Sequence, residues 1–146
     1  MKRIVLCDID GTLANVVHRL HLVSGEEKNW EEFNSKSKED NVKEDIANIL
    51  RQLYSDEETE ISIITAREDK WIEDTKRWLD LNDIPYNNLH MRKAGDRRSD
   101  SDVKREIFRK NYKKKDIWFV LEDRVKVVKM WRELELTCLQ VSEGDF

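Results

Sequence analysis

The sequence predicts a doubly wound α/β domain built on a parallel sheet. Five short apolar runs alternate with segments whose apolar residues recur at helical spacing. Strands and helices that alternate in this way form parallel sheets. Three of the runs also end in acids, hydroxyls or arginines. Ligands of open parallel sheets bind beyond the carboxyl ends of the strands, so these polar clusters predict one shared site.

The first predicted strand, residues 4–6, leads into Asp8, Asp10, Gly11 and Thr12. Two carboxylates one residue apart at a strand end suit Mg²⁺, which takes oxygen ligands. Gly11 permits a sharp turn, and Thr12 offers a hydroxyl and an N–H to a phosphate. For this segment alone, a turn without chemistry is the alternative, because Asp-Gly is a common turn pair.

Residues 15–40 have weak periodicity and predict a short helical insertion. Within it, Trp30 is a candidate for stacking on a nucleobase. His18 and His21 are expected either to line the pocket or to be structural. An amphipathic helix follows, in which these apolar residues recur at helical spacing: Val42, Ile46, Ile49, Leu50 and Leu53.

The rest of the chain continues the alternation. The strand at residues 61–64 ends in Thr65 and Arg67, and a helix follows to about Asn82. A weaker strand at 89–91 precedes a helix that Ser99 or Asp100 caps. The strand at 117–121 ends in Glu122 and Asp123, and one more helix and a last strand at 137–141 complete the sheet.

Lys104 lies near the start of its predicted helix, where the helix dipole disfavours a cation. A solvated surface lysine is one explanation. The other is a lysine aimed at the carboxyl edge of the sheet, where it would offset the charge of a phosphate and a carboxylate. Asp100 precedes it by four residues on the same helical face, so we expect the two to pair.

Composition limits the function classes. The 146 residues predict a single domain, 1–146, with a small cap insertion at about 15–40. The net charge of −4 excludes a protein that coats nucleic acid through overall positive charge. No apolar run approaches the ~20 residues of a membrane span, and we expect no signal peptide and no membrane partner. Cys7 and Cys138 lie in apolar runs and predict buried thiols of a cytoplasmic protein.

These residues resemble the four motifs of the haloacid dehalogenase (HAD) superfamily of phosphohydrolases: residues 8–12, Thr65, Lys104 and the pair Glu122 and Asp123. The chain is most similar to the 3′-phosphatase domain of bacteriophage-type polynucleotide kinase/phosphatase, nearly end to end. The resemblance implies a HAD-like Rossmannoid sheet with a small helical cap after the first strand. That family usually has Asp-Asp where this chain has Glu122 and Asp123, so Asp123 is the better candidate for direct metal coordination.

The resemblance also implies a role for each site residue. Asp8 is the implied nucleophile and Asp10 the general acid and base, while Thr65 and Lys104 hold the phosphoryl oxygens. The implied ligands of Mg²⁺ are Asp8, Asp10, Glu122 and Asp123. The implied substrate-binding residues are Thr12, Arg19, Arg67, Arg92, Arg97 and Asp100.

The implied activity is a Mg²⁺-dependent phosphomonoesterase that forms an aspartyl-phosphate and removes 3′-phosphate from DNA or RNA ends. The small insertion favours this substrate. A small cap leaves the entrance of the site open to a phosphate ester whose remaining part is long, such as a nucleic-acid end. The alternative is a 5′- or 3′-nucleotidase acting on free mononucleotides. It is favoured by the net acidity and by the absence of a Gly-rich loop ending in Gly-Lys-Ser/Thr. A binding module without turnover is a third reading, against which the complete set of motif residues argues. No motif indicates the oligomeric state.

Overall fold

The computed structural model describes residues 2–146 and confirms the doubly wound α/β fold. The main sheet contains β1 (Arg3–Cys7), β4 (Thr59–Glu68), β5 (Asn88–Arg92), β6 (Ile117–Arg124) and β7 (Cys138–Gly144). Its strand order is β5-β4-β1-β6-β7, and all neighbouring pairs are parallel. The helices outside the insertion are α2 (Glu44–Tyr54), α3 (Ile72–Leu81), α4 (Asp100–Asn111) and α5 (Val125–Glu133).

The insertion between β1 and α2 is a small cap closed by a ribbon of two short strands. β2 (Ala14–Asn15) pairs antiparallel with β3 (Asn41–Val42), and between them lie α1 (Trp30–Ser35) and two 3₁₀ turns. Val42 was expected to belong to the helix that follows, but it lies in β3. Strands of two residues are too short to show an alternating pattern, so periodicity does not reveal them.

The strand β1 is covered on both faces, because successive side chains point to opposite sides of a sheet. Val5 packs in a core with Leu50 and Trp78 of the helices α2 and α3, whereas Leu6 packs with Phe108 and Trp131 on the other face. Burying an aliphatic or aromatic side chain of this size contributes about 1.5–3 kcal/mol to the free energy of unfolding. These two cores hold β1 in the centre of the sheet.

Cys7 and Cys138 are buried free thiols, as the sequence predicts. Within residues 2–146, none of the helices has the length and hydropathy that a membrane span requires.

Candidate active site

The loop after β1 aims two carboxylates at the carboxyl edge of the sheet. The Asp8 N–H donates to the Leu121 carbonyl oxygen of the neighbouring strand (N···O 3.0 Å). The amides of Thr12, Leu13 and Ala14 all donate to the Ile9 carbonyl oxygen, at 2.9–3.1 Å. These bonds wind the chain into a tight turn directly beyond the strand.

Gly11 is required at this turn for two reasons. Its φ of +87° lies in the left-handed region, which side chains rarely adopt. A Cβ at this position would also overlap the carboxylate of Asp123. Gly144, at the end of β7, approaches the same carboxylate as closely. Two glycines therefore make room for Asp123.

Asp8, Glu122 and Asp123 form a buried acidic cluster, as the parallel topology predicts. One carboxylate oxygen from each of the three residues lies within 4.8 Å of those from the other two. Lys104 Nζ lies 2.8 Å from Asp8 Oδ1 and 2.8 Å from Glu122 Oε2, and the residue is only 2% exposed. Lys104 is therefore directed at the site, and the solvated-lysine alternative is wrong.

The charges of the cluster do not balance without a further cation. Burial and the neighbouring Glu122 raise the pKa of Asp8 to about 7. Burial and Asp8 raise the pKa of Asp123 to about 7. Burial opposes the charge of Lys104, but Asp8 and Glu122 outweigh it and hold the pKa of Lys104 above its ordinary value. One ammonium thus faces three carboxylates.

This imbalance fits a hard divalent cation, because such ions take carboxylate oxygens as ligands. Asp123 forms no ion pair with any residue of the described chain 2–146, whereas Glu122 is engaged by Lys104. Glu122 Oε1 also accepts the backbone N–H of Asp123 at 3.1 Å. Among the three, Asp123 therefore has the carboxylate most available to a metal, since Lys104 engages both Asp8 and Glu122.

Asp10 lies beside this cluster but its carboxylate turns to two arginines. Arg67 Nη2 lies 2.7 Å from Asp10 Oδ1, and Arg19 Nη2 lies 2.5 Å from the same oxygen. Burial raises the pKa of Asp10, but Arg67 and Arg19 outweigh it and hold that pKa well below the ordinary value. Asp10 is therefore ionised in this arrangement.

Arg19 lies behind Asp10 rather than on the cavity wall. The residue is 0% exposed, and its guanidinium also contacts both oxygens of Asp40 and, at 3.0 Å, the Phe33 carbonyl oxygen. Its implied contact with substrate stays a prediction. What the geometry shows is that Arg19 positions Asp10.

Asp40 is a site residue that the sequence reasoning missed. Its Oδ1 accepts from Arg19 Nε at 2.8 Å, and His18 Nε2 lies 2.6 Å from the same atom. His18 thus has a structural role, one of the two alternatives for it. Asp40 belongs to no motif, since it is an isolated acid at the end of the insertion. The only feature that could have indicated it is its position just before β3.

The predicted pair between Asp100 and Lys104 does not form. Asp100 Oδ1 accepts from Arg92 Nη2 at 2.6 Å, and its Oδ2 is paired with Arg124. Lys104 is occupied by the two buried carboxylates instead. Ser99 caps α4 by accepting the Asp102 N–H at 3.2 Å, which resolves the choice of cap.

Arg92 organises the loop that precedes α4. Its guanidinium donates to the carbonyl oxygens of Ala66, Asp96 and Arg98 at 2.6–3.0 Å, besides pairing with Asp100. Arg97 in the same loop is different. It lines the cavity described next, and no residue of 2–146 forms an ion pair or hydrogen bond with it.

Thr12 and Thr65 are both fully buried, and Thr12 contacts the acidic cluster. Thr12 Oγ1 lies 3.0 Å from Asp8 Oδ2 and 3.2 Å from Asp123 Oδ1. Thr65 Oγ1 accepts the Arg67 N–H at 3.2 Å, and its own proton remains available to an acceptor. Their implied contacts with a phosphate stay predictions.

A cavity of about 650 Å³ opens beside the acidic cluster, and neither Thr12 nor Thr65 lines it. Its inner wall includes Asp8, Asp10, Arg67, Lys104 and Glu122, and its outer wall includes Trp30 and Arg97. This volume lies in the range of small-ligand sites. The arrangement places two carboxylates and several cations on the wall of a cavity that a phosphate monoester can enter.

Comparison with known proteins also indicates a phosphatase domain. The family described as the polynucleotide kinase PNKP phosphatase domain matches residues 2–146. A chain of a Pnkp1/Rnl/Hen1 complex is 32% identical, with a TM-score of 0.85, over 100% of this chain and 48% of that one. A chain of a Pnkp1/Rnl/Hen1 RNA repair complex is 33% identical, with a TM-score of 0.84, over 100% of this chain and 44% of that one.

A protein of Autographa californica nuclear polyhedrosis virus is also similar, and its name provisionally describes a bifunctional polynucleotide kinase/RNA ligase. It is 26% identical over 92% of this chain and 18% of its own length. The chain therefore spans less than half the length of these larger relatives. A HAD-like hydrolase of Streptococcus pneumoniae, 12% identical with a TM-score of 0.66 over 95% of this chain and 84% of its own, shares the fold.

Proposed function

The chain belongs to the PNKP-type phosphatase domains of the HAD superfamily, and we propose that it removes terminal 3′-phosphates from DNA or RNA. The observation that supports this most is the position of Asp8. Its carboxylate lies on the wall of an open cavity, in contact with Lys104 and close to Asp10. A nucleophile, a cation and an acid/base group therefore face the same entering phosphate.

In the proposed first step, an oxygen of Asp8 attacks phosphorus and the bond to the leaving 3′-oxygen breaks. Asp10 gives its proton to that oxygen, and the nucleic acid leaves with a 3′-hydroxyl. In the second step, Asp10 takes a proton from water, which attacks the aspartyl-phosphate. Inorganic phosphate leaves and the Asp8 carboxylate is restored. Lys104 and Thr65 hold the phosphoryl oxygens in both steps.

The two arginines beside Asp10 are consistent with its change from general acid in the first step to general base in the second. As they stand, they keep Asp10 ionised, which is the form that the base step needs. The acid step needs a proton on Asp10. Arg67 lines the cavity, so a substrate phosphate there draws its guanidinium away and raises the pKa of Asp10.

The residues that would hold Mg²⁺ are Asp8 and Asp123, with Glu122 and the backbone carbonyl of Asp10 as further candidates. Mg²⁺ bound there would neutralise charge on the transferred phosphoryl group. A bound cation also favours the ionised form of Asp8, which is the nucleophilic one.

Arg97 supports a polynucleotide rather than a small ester. It is a cavity-lining cation without an ion-pair or hydrogen-bond partner among residues 2–146, so it is available to the next phosphodiester of a strand. The likeness to chains of Pnkp1/Rnl/Hen1 complexes further supports a place in nucleic-acid end repair. We place this reaction in the cytoplasm, where the free thiols of Cys7 and Cys138 stay reduced.

The test measures phosphate release with Mg²⁺ from 3′-phosphorylated and 5′-phosphorylated oligonucleotides, as DNA and as RNA, and from 3′- and 5′-mononucleotides. We expect release from the 3′-phosphorylated ends and none from the Asp8→Asn variant. Release from mononucleotides alone would show that the enzyme is a nucleotidase. No release from any substrate would show that turnover has been lost.

A further inference from the structure

Trp30 is a large aromatic side chain on the cavity wall that the proposed chemistry does not use. It is the first residue of α1 in the cap, and it is 37% exposed. The cavity that contains Asp8 on its inner wall has Trp30 on its outer wall. An exposed indole in a cavity lined largely by charged groups is unusual and needs an explanation.

The ring is held in a defined orientation. Trp30 packs edge-to-face on Phe33, with centroids 5.4 Å apart and planes at 85°. Phe33 is buried, and the Arg19 guanidinium lies 4.1 Å from its ring centroid. The indole is thus connected by packing to the residues that position Asp10, and it presents a platform to the cavity.

Two cationic side chains lie near this platform, and one of them, Arg124, is also paired with Asp100. Lys28 Nζ lies 5.8 Å and Arg124 Cζ lies 5.9 Å from the Trp30 ring centroid. Positive charge around an exposed aromatic ring is the combination that binds single-stranded nucleic acid, because bases stack on the ring while cations attract the phosphates.

A second exposed tryptophan shows that exposure alone does not define such a platform. Trp118 is 39% exposed, but Arg3 Cζ covers its ring at 3.6 Å and it does not line the cavity. It therefore serves as a matched control for Trp30.

We infer that Trp30 is the stacking platform for the nucleobase of the phosphorylated terminal nucleotide. The inference rests on the proposed function, since it assumes that the reacting phosphate is joined to a nucleoside. With phosphorus at Asp8, the sugar and base extend from the inner to the outer wall of the same cavity. Because every base has a π face, the platform selects nucleic-acid ends over other phosphate esters without reading their sequence.

The first test compares two 3′-phosphorylated oligonucleotides that differ only in the terminal base, which one of them lacks. For the normal end we expect Trp30→Ala to lower kcat/KM roughly tenfold, mainly through KM. For the abasic end we expect no change. Trp30→Tyr should restore most of the loss, and Trp118→Ala should leave both substrates unaffected. An equal loss on both substrates, or no loss on either, would overturn the inference.

The second test measures binding without turnover. In the Asp8→Asn background, a stacked base should quench tryptophan fluorescence on titration with the 3′-phosphorylated oligonucleotide. The quench should disappear in Trp30→Phe and remain in Trp118→Phe. A quench that persists in Trp30→Phe rejects the platform even if the enzyme is active. A Trp30-dependent quench, together with no phosphate release by the unsubstituted protein, rejects the proposed function alone.

Discussion

Arg67 holds Asp10 through two nitrogens, with Nε 3.0 Å from Oδ2 and Nη2 2.7 Å from Oδ1. This planar contact fixes the orientation of the carboxylate as well as its charge, which a single ammonium cannot do. Arg67 is 2% exposed, whereas Asp10 is partly open to the cavity, so solvent reaches the pair only from the cavity side. The consequence is that Asp10 is both held in place and kept ionised before substrate enters.

Arg67→Lys should therefore lower kcat by about 10- to 100-fold, since a hydrogen bond to a charged group contributes about 1.5–3 kcal/mol. The pKa of Asp10 should rise, because one of the two groups that depress it is weakened. Steady-state phosphate release across pH measures both effects. Arg105→Lys, at a surface pair with Asp102, is the control. An unchanged pH profile would contradict the role of Arg67.

Lys104→Met should destabilise the protein as well as inactivate it. The variant leaves Asp8 and Glu122 buried without their common cation, and breaking a buried pair costs about 3–5 kcal/mol. Denaturant unfolding in EDTA measures the loss. Mg²⁺ should recover part of it by neutralising the same carboxylates. Lys110→Met removes an exposed lysine of the same helix and should change neither property.

Gly11→Ala and Gly95→Ala separate backbone strain from loss of the metal site. Both glycines have φ near +87°, so both variants have a strain of roughly 1–2 kcal/mol. Only the methyl at position 11 overlaps Asp123, while position 95 has open space around it. We expect Mg²⁺-dependent stabilisation to disappear in Gly11→Ala and to persist in Gly95→Ala. Thermal melting with and without Mg²⁺ tests this. An equal rise in melting temperature on addition of Mg²⁺ in the two variants would contradict the prediction.

The stability of the metal-free protein should fall as pH rises from about 4 to 7. Asp8 and Asp123 have an ordinary pKa of 3.8, which the fold raises to about 7. In this window the folded protein keeps protons that the unfolded chain releases, so rising pH favours unfolding. Mg²⁺ competes with these protons, and its stabilising effect should grow as pH rises through about 7.

Melting temperatures in EDTA and in Mg²⁺ between pH 5 and 8.5 measure both trends. In Asp8→Asn the decline in EDTA should be shallower, because one of the two titrating groups is gone. A Mg²⁺ effect of the same size at pH 5.5 and pH 8 would show that the metal does not bind at these carboxylates.

Apolar runs were sufficient to predict the strands of the main sheet, most clearly β1 and β4, whose residues are largely buried on both faces. The gathering of Asp8, Glu122 and Lys104 also followed from parallel topology. The partners of Asp10 and Asp100 could not be predicted, since the reach of each arginine depends on how the loops fold. Asp40 illustrates the same limit: it lies 30 residues from Asp10 in sequence, and Arg19 joins the two in space.

The arrangement of the acidic cluster has a consequence for biosynthesis. Lys104 contacts Asp8 across 96 residues of sequence, and β7, which completes the sheet beside β6, is made later still. Contacts of such separation form late in folding, after long loops have closed. A nascent chain that is exposed only as far as residue 100 contains Asp8 and Asp10 but has no Lys104, Glu122 or Asp123. Such a chain lacks the phosphatase site, so phosphatase activity reports that translation has passed residue 123.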